Sequence, residues 1–177
     1  MYYFPDLDEK TRQCMVSELE LDMAKGLFYD PLSMTSSYLL TYRRLLKECC
    51  TNGTPETLQK KLTPVFFRQK DRNGRKISAN ISQMVAFSDF NRYYVRAILL
   101  RAIRENKKLS VYRAKQSVNE RKESCASLNK MYSDKMQMQQ MLELFRDHRR
   151  LFGLKNQPEL LKPNSGLSLR FVEKALI

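Results

Sequence analysis

Histidine occurs once in this 177-residue chain, at position 148. A single imidazole cannot supply a two-histidine metal site, and no nucleophile–base–acid series is visible around it. Its setting, the run RDHRR near the end of an expected helix, suits a cation at a helix C-terminus. Cysteine is scarce as well: Cys14, Cys49, Cys50 and Cys125, without a CxxC spacing. That argues against a zinc site and a disulfide framework and favours a reducing compartment. The expected location is therefore cytoplasmic, or inside a phage or mobile-element assembly, and not secreted. Five glycines and six prolines leave little turn chemistry, so helix is expected to dominate. No apolar stretch approaches the ~18–20 residues of a membrane span. The opening MYYFPDLDEK lacks the basic start and apolar core of a signal peptide. Neither GxxxxGK[ST] nor GxGxxG occurs. Asp71 and Asp89 are the only aspartates of the basic middle, too thin a set for a two-metal nuclease. These absences point away from an enzyme; no catalytic residue, metal ligand or cofactor is expected.

What the chain does have is cationic charge, unevenly placed. The formal net charge is +13. Residues 67–125 hold 15 Lys/Arg against 5 Asp/Glu, whereas residues 1–30 hold 3 against 7. An acidic N-terminal helical segment thus precedes a basic central segment within one expected domain spanning 1–177. Such asymmetry calls for a polyanion or an acidic protein surface as partner.

Pattern and caps predict the elements. Asp8 caps a helix from Glu9 to Ala24 that Gly26 stops, with Leu7, Thr11, Cys14, Met15, Leu19 and Met23 inward. A second helix spans Ser37–Cys50, its apolar band including Leu39, Leu40, Tyr42, Leu46, Cys49 and Cys50. Thr54-Pro55-Glu56 reads as N-cap, N1 and N2 of a short third helix. Residues 68–80, with Asn73-Gly74, read as a basic loop or loose hairpin. The longest helix runs from Ser88, or already from Ser82, to Glu105, with Phe90, Tyr94, Ala97, Ile98 and Ile103 buried. Leu109–Lys115 alternates with period two and reads as a strand, followed by a polar loop to Ser124. A fifth helix spans Asp134–Phe152, capped by Ser133, and Leu167–Val172 reads as a terminal strand pairing with the first. The fold class is mainly α with a small β component: about five helices packed with a two-stranded or slightly larger sheet.

Three segments together, FNRYYVRAILLRAI (90–103), VYRAKQSVNERKES (111–124) and PNSGLSLRF (163–171), resemble an uncharacterised family of small bacterial and mobile-element proteins. The opening LDEKTRQCMVSELELDMAKGLFYDP (7–31) is similar too. Members tend to carry an R-P-E-S-E run where this chain has Arg121-Lys122-Glu123-Ser124-Cys125. The resemblance spans most of the chain with gaps and implies no activity, cofactor or site residue.

The basic segment is the candidate site. Arg92, Arg96, Arg101 and Arg104 lie on the long helix, with Arg92 and Arg96 one turn apart and projecting together. Arg68, Lys70, Arg72, Arg75 and Lys76 precede that helix, and Arg113, Lys115, Arg121 and Lys122 follow it. Such density neutralises phosphates and releases counterions. Tyr93 and Tyr112 are candidates for stacking on bases. Arg113 and Arg121 either converge on an anion or form a structural network with Glu123. On the acidic helix, Glu18, Glu20 and Asp22 are candidate protein-interface residues, able to meet a basic patch on another copy. Two functions follow. The first is a non-enzymatic protein whose basic face contacts nucleic-acid backbone (DNA or RNA) without sequence readout. The alternative is a structural or assembly subunit of a phage particle or mobile-element complex, binding neighbouring chains, including its own copies, through acidic and basic surfaces. No membrane partner is expected.

Overall fold

The structure is a computed structural model, and it describes residues 2–70, 74–116, 122–153, 159–162 and 165–172. Local chemistry sets the helix starts. The Asp8 carboxylate accepts from the Thr11 amide at 2.8 Å and caps α1 (Glu9–Ala24). A 3-10 turn at Ser36–Tyr38 leads into α2 (Leu39–Asn52), which Gly53 closes. The Thr54 hydroxyl accepts from the Thr57 amide and opens α3 (Pro55–Lys61), with Pro55 at the position where a missing N–H is harmless. The long helix α4 covers Ile81–Glu105, its start near the earlier of the two expected positions, and Asn106 ends it in the left-handed conformation. At 25 residues it is roughly 37 Å long at 1.5 Å per residue.

The sheet has three antiparallel strands in the order β2–β1–β3 among the described residues. Strand β1 (Leu109–Arg113) pairs with β3 (Leu167–Phe171) as expected, with Val111 opposite Leu169. The two-residue β2 (Met131–Tyr132) on its other side was not expected, being too short to show a period. Gly166 has φ +70°, and a Cβ there would lie 2.9 Å from the Lys115 carbonyl oxygen, so the turn into β3 needs glycine. Helix α5 (Lys122–Ala126) begins inside the stretch expected to be loop and runs two residues past it. The expected fifth helix is two: α6 (Lys135–Arg146), capped by Asp134 rather than Ser133, and α7 (His148–Gly153). Between them Asp147 leaves the helical path, and its carboxylate accepts from the Arg150 amide, a local cap that restarts the helix. The mainly helical class with a small antiparallel sheet therefore holds, with seven α-helices among the described residues.

Helix α4 lies at the centre. Every residue from Asp89 to Leu99 is buried. Helices α1, α2, α3 and α6 and strand β3 pack around it. One apolar core runs from Met15 and Leu19 through Phe90, Tyr94 and Ile98 to Val111 and Leu169. Burial of each such Leu, Ile or Phe contributes roughly 1.5–3 kcal/mol over exposure. The Asn91 side-chain amide donates to the Leu167 carbonyl at 2.9 Å and ties α4 to β3. The N-terminal arm crosses the start of α4: Tyr2 stacks on Phe87 at 4.8 Å, and the Tyr3 amide donates to the Ala114 carbonyl. No helix among the described residues is long and apolar enough to cross a membrane.

Candidate nucleic-acid interface

The face of α1 that turns inward is Thr11, Met15, Glu18, Leu19 and Asp22. Its spacing is helical, but two of its five members are acids, and Met23, expected inside, is 37% exposed. Glu18 and Asp22 project against the central helix and meet Arg96, which has no exposed surface. The guanidinium donates through Nε and Nη2 to Glu18 Oε2 at 2.9 and 2.8 Å, and through Nη1 and Nη2 to the two Asp22 oxygens at 2.6 and 2.9 Å. Arg146 of α6 donates to Glu18 from the other side (Nε, 2.8 Å), and the Tyr93 hydroxyl donates to Asp22 at 2.9 Å. Burial pushes the Glu18 carboxyl up. Hydrogen bonds from Arg146 and the charge of Arg96 outweigh it and hold the group below the usual glutamate value.

Part of each charge pattern therefore meets the other inside one chain: Arg96 with Glu18 and Asp22, and Arg101 with Asp8. This corrects three expectations. Arg96 is not on a basic face, because it is the internal counterion of α1. Glu18 and Asp22 are not an interface for another copy. Glu20, the third candidate, is exposed but pairs within the chain with Lys47 at 2.7 Å.

Arg92 is corrected too. It is 7% exposed, with its guanidinium between the rings of Tyr29 (5.2 Å) and Tyr93 (5.3 Å). Asp89 Oδ1 lies 3.6 Å away, beyond hydrogen-bond reach. Burial raises the Asp89 carboxyl against the pull of Arg92 and of the Tyr42 hydroxyl, which donates to it. Arg101, on the same helix, bonds Asp8 (2.7 Å), Thr11 (2.6 Å) and Glu105 (2.8 Å). Tyr93 and Tyr112, at 0% and 6% exposure, are core side chains and not stacking platforms.

Past α4 the candidates scatter. Arg113 is half-buried, with Nη1 on the Ser165 carbonyl at 3.4 Å and Nη2 3.6 Å from Cys125 Sγ. Lys115 is half-buried over the rings of Tyr2 and Phe87, bonded to Gln83 at 3.4 Å, and desolvation lowers its pKa. Lys122 is exposed on α5. Arg72 and Arg121 lie outside the described residues.

The segment before α4 does form a coherent site. Arg68, Lys70, Arg75 and Lys76 are all exposed. Lys70 and Lys76 form an antiparallel bridge, the Ile77 amide donates to the Gln69 carbonyl (3.1 Å), and Gly74 takes φ +77°. The Arg68 amide and Nε donate to the Ser33 and Met34 carbonyls, which anchors this ribbon to the body. Between the ribbon and the first turn of α4 lies a groove of about 600 Å³. Its apolar floor is Leu62, Phe67, Ile77 and Ile81, with Pro64 and Ala79 at its exposed edge, and its cationic rim is Arg68, Lys70 and Lys76. Among the described residues no carboxylate lines it. The positive end of the α4 dipole points the same way. The groove was missed from sequence, although Ile77 and Ile81, four apart beside the cations, were a visible signal.

The surface as a whole stays basic after internal pairing: eighteen Lys/Arg but eight Asp/Glu are exposed among the described residues. No group of three His, Cys, Asp or Glu side chains is placed to hold a metal ion among them. His148 bonds the Leu27 carbonyl through Nδ1 (3.1 Å) and lies beside the Tyr29 ring, just past the C-terminus of α6 and at the start of α7. No family model, curated protein or solved structure matches the chain.

Proposed function

We propose that this chain is a non-enzymatic binding protein that grips nucleic-acid backbone through the paired segments 68–70 and 74–77 and their flanks. One observation carries the reading. Lys70 and Lys76 are held directly opposite each other as a cross-strand pair. Like charges so placed oppose folding by roughly 0.2–1 kcal/mol, and a polyanion bound across them removes that penalty. Residues 68–76 carry five cations and one acid, Asp71, while the acids of α1 that could have neutralised them are engaged elsewhere. The contact is to phosphate, so it carries no sequence information. The assembly reading has less support, since Glu18 and Asp22, two of its three acidic residues, are internal.

The test is fluorescence anisotropy with labelled DNA and RNA across a salt series. Binding should weaken steeply with salt, and Lys70→Glu with Lys76→Glu should lower the logarithmic salt slope by about one for each phosphate no longer neutralised. Affinity indifferent to both salt and these two charges would overturn the proposal.

A further inference from the structure

We infer that the groove beneath the ribbon takes an unstacked nucleobase, so that the chain prefers single-stranded nucleic acid over duplex. This deepens the backbone-binding reading and rests on it. The groove combines three features in one place. Its floor is apolar, with Ile77 and Ile81 presenting flat aliphatic surface beside Pro64. Its rim is cationic, so a phosphate on either side of an inserted base meets Arg68, Lys70 or Lys76. Its lining also holds Gln69 and Ser82, an amide and a hydroxyl able to donate to and accept from the edge of a base, and Ser78, whose hydroxyl donates to Asn80 Oδ1 at 2.6 Å and is left as an acceptor.

The backbone-binding reading decides between occupants. An acidic peptide anchored by an aliphatic side chain would satisfy the rim and the floor, and its backbone could bond the polar groups as well, so it is an outcome of the test below. A base offers its apolar faces to the floor and its polar edge to those groups, as in other sites that read unstacked bases. A duplex can reach the rim but cannot place a base in the groove without breaking a pair.

The ribbon fixes the geometry. The Ile77 amide bond to Gln69 sets one wall, and the first turn of α4 at Ile81–Ser82 sets the other. Ala79 stands on the exposed turn between them. Ala79→Phe therefore fills the groove without touching the core, and Ile77→Ser removes apolar floor instead.

The experiment compares labelled oligothymidylate with a duplex of equal length at one salt concentration, on the native chain and both variants. The native chain should bind the single strand about tenfold more tightly. Ala79→Phe should erase that preference while changing duplex affinity by less than about twofold, and Ile77→Ser should lower single-strand affinity about fivefold. Equal binding of both nucleic acids, unchanged by either variant, overturns the groove assignment and leaves the backbone reading standing. Failure of the native chain to bind either one overturns both. In that case, capture of polyglutamate in the same assay would reassign the cationic rim to an acidic protein partner.

Discussion

Replacing Arg96 by alanine should cost more than any surface substitution in this chain. The side chain is fully buried and donates five hydrogen bonds, two to Glu18 Oε2, one to the Glu18 carbonyl and two to Asp22. Truncation leaves Glu18 with Arg146 and Asp22 with the Tyr93 hydroxyl, both carboxylates still inside. Removing one partner of a buried ion pair costs about 3–5 kcal/mol, because the orphaned charge keeps its desolvation penalty. A domain of this kind has about 5–15 kcal/mol in total, so the variant is expected near the limit of folding. Urea unfolding followed by circular dichroism measures the loss. With a slope near 2 kcal/mol per molar, the midpoint should fall by about 2 M. Arg44→Ala is the control: it removes a cation that is 71% exposed and should cost under about 0.5 kcal/mol. Arg96→Lys should fall between, keeping the charge and losing the two-pronged geometry. A loss below about 1 kcal/mol for Arg96→Ala would refute the claim that this arginine is an internal counterion. It would also reopen Arg96 as a ligand-binding residue.

Two further outcomes follow from titratable groups. Glu18 titrates below the ordinary glutamate value of 4.5 in the folded chain, so its stabilisation is present above that value and is lost as pH falls through the folded pKa. Stability measured from about pH 5 down to about pH 3 should decline, and less steeply in Glu18→Gln; equal slopes would contradict the assignment. Among the thiols, Cys125 is exposed, whereas burial raises the thiol pKa of Cys49 and Cys50. A thiol reagent at neutral pH should label Cys125 fast, and Cys49 and Cys50 only as urea unfolds the chain; fast labelling of Cys50 in the native protein would count against the packing of α2 on α4.

The sequence was most legible where local chemistry decides. Asp8 and Thr54 announce their helices because a capping oxygen acts over three residues. The alternation in Leu109–Arg113 and Leu167–Phe171 gives both long strands because one face packs on the core. It was least legible where distant residues decide. Helix α4 reads as amphipathic, with arginines outward, yet its middle is buried all round because Glu18 and Asp22 of α1 meet Arg96 and the rings of Tyr29 and Tyr93 cover Arg92. Hydropathy cannot separate a solvated arginine from one whose counterions arrive from 74 and 78 residues away. The same blindness rotated the predicted face of α1 towards Met23. The ribbon and its cations were legible as a basic loop. The groove beneath was not, because it exists only once the α4 start packs against Leu62 and Phe67.

The bond from Arg146 to Glu18 spans 128 residues. During vectorial synthesis the ribosome delivers α1 well before α6. At about 5–20 residues per second, Glu18 waits roughly 6–26 s for its second arginine. In that interval α1 and α4 have emerged without Met138, Leu142 and Phe145, the buried side of α6. The nascent chain then shows apolar surface, and a Glu18 carboxylate short of one arginine, that the finished protein hides. Completion of α6, rather than of the central helix, marks the moment at which this surface is withdrawn from water.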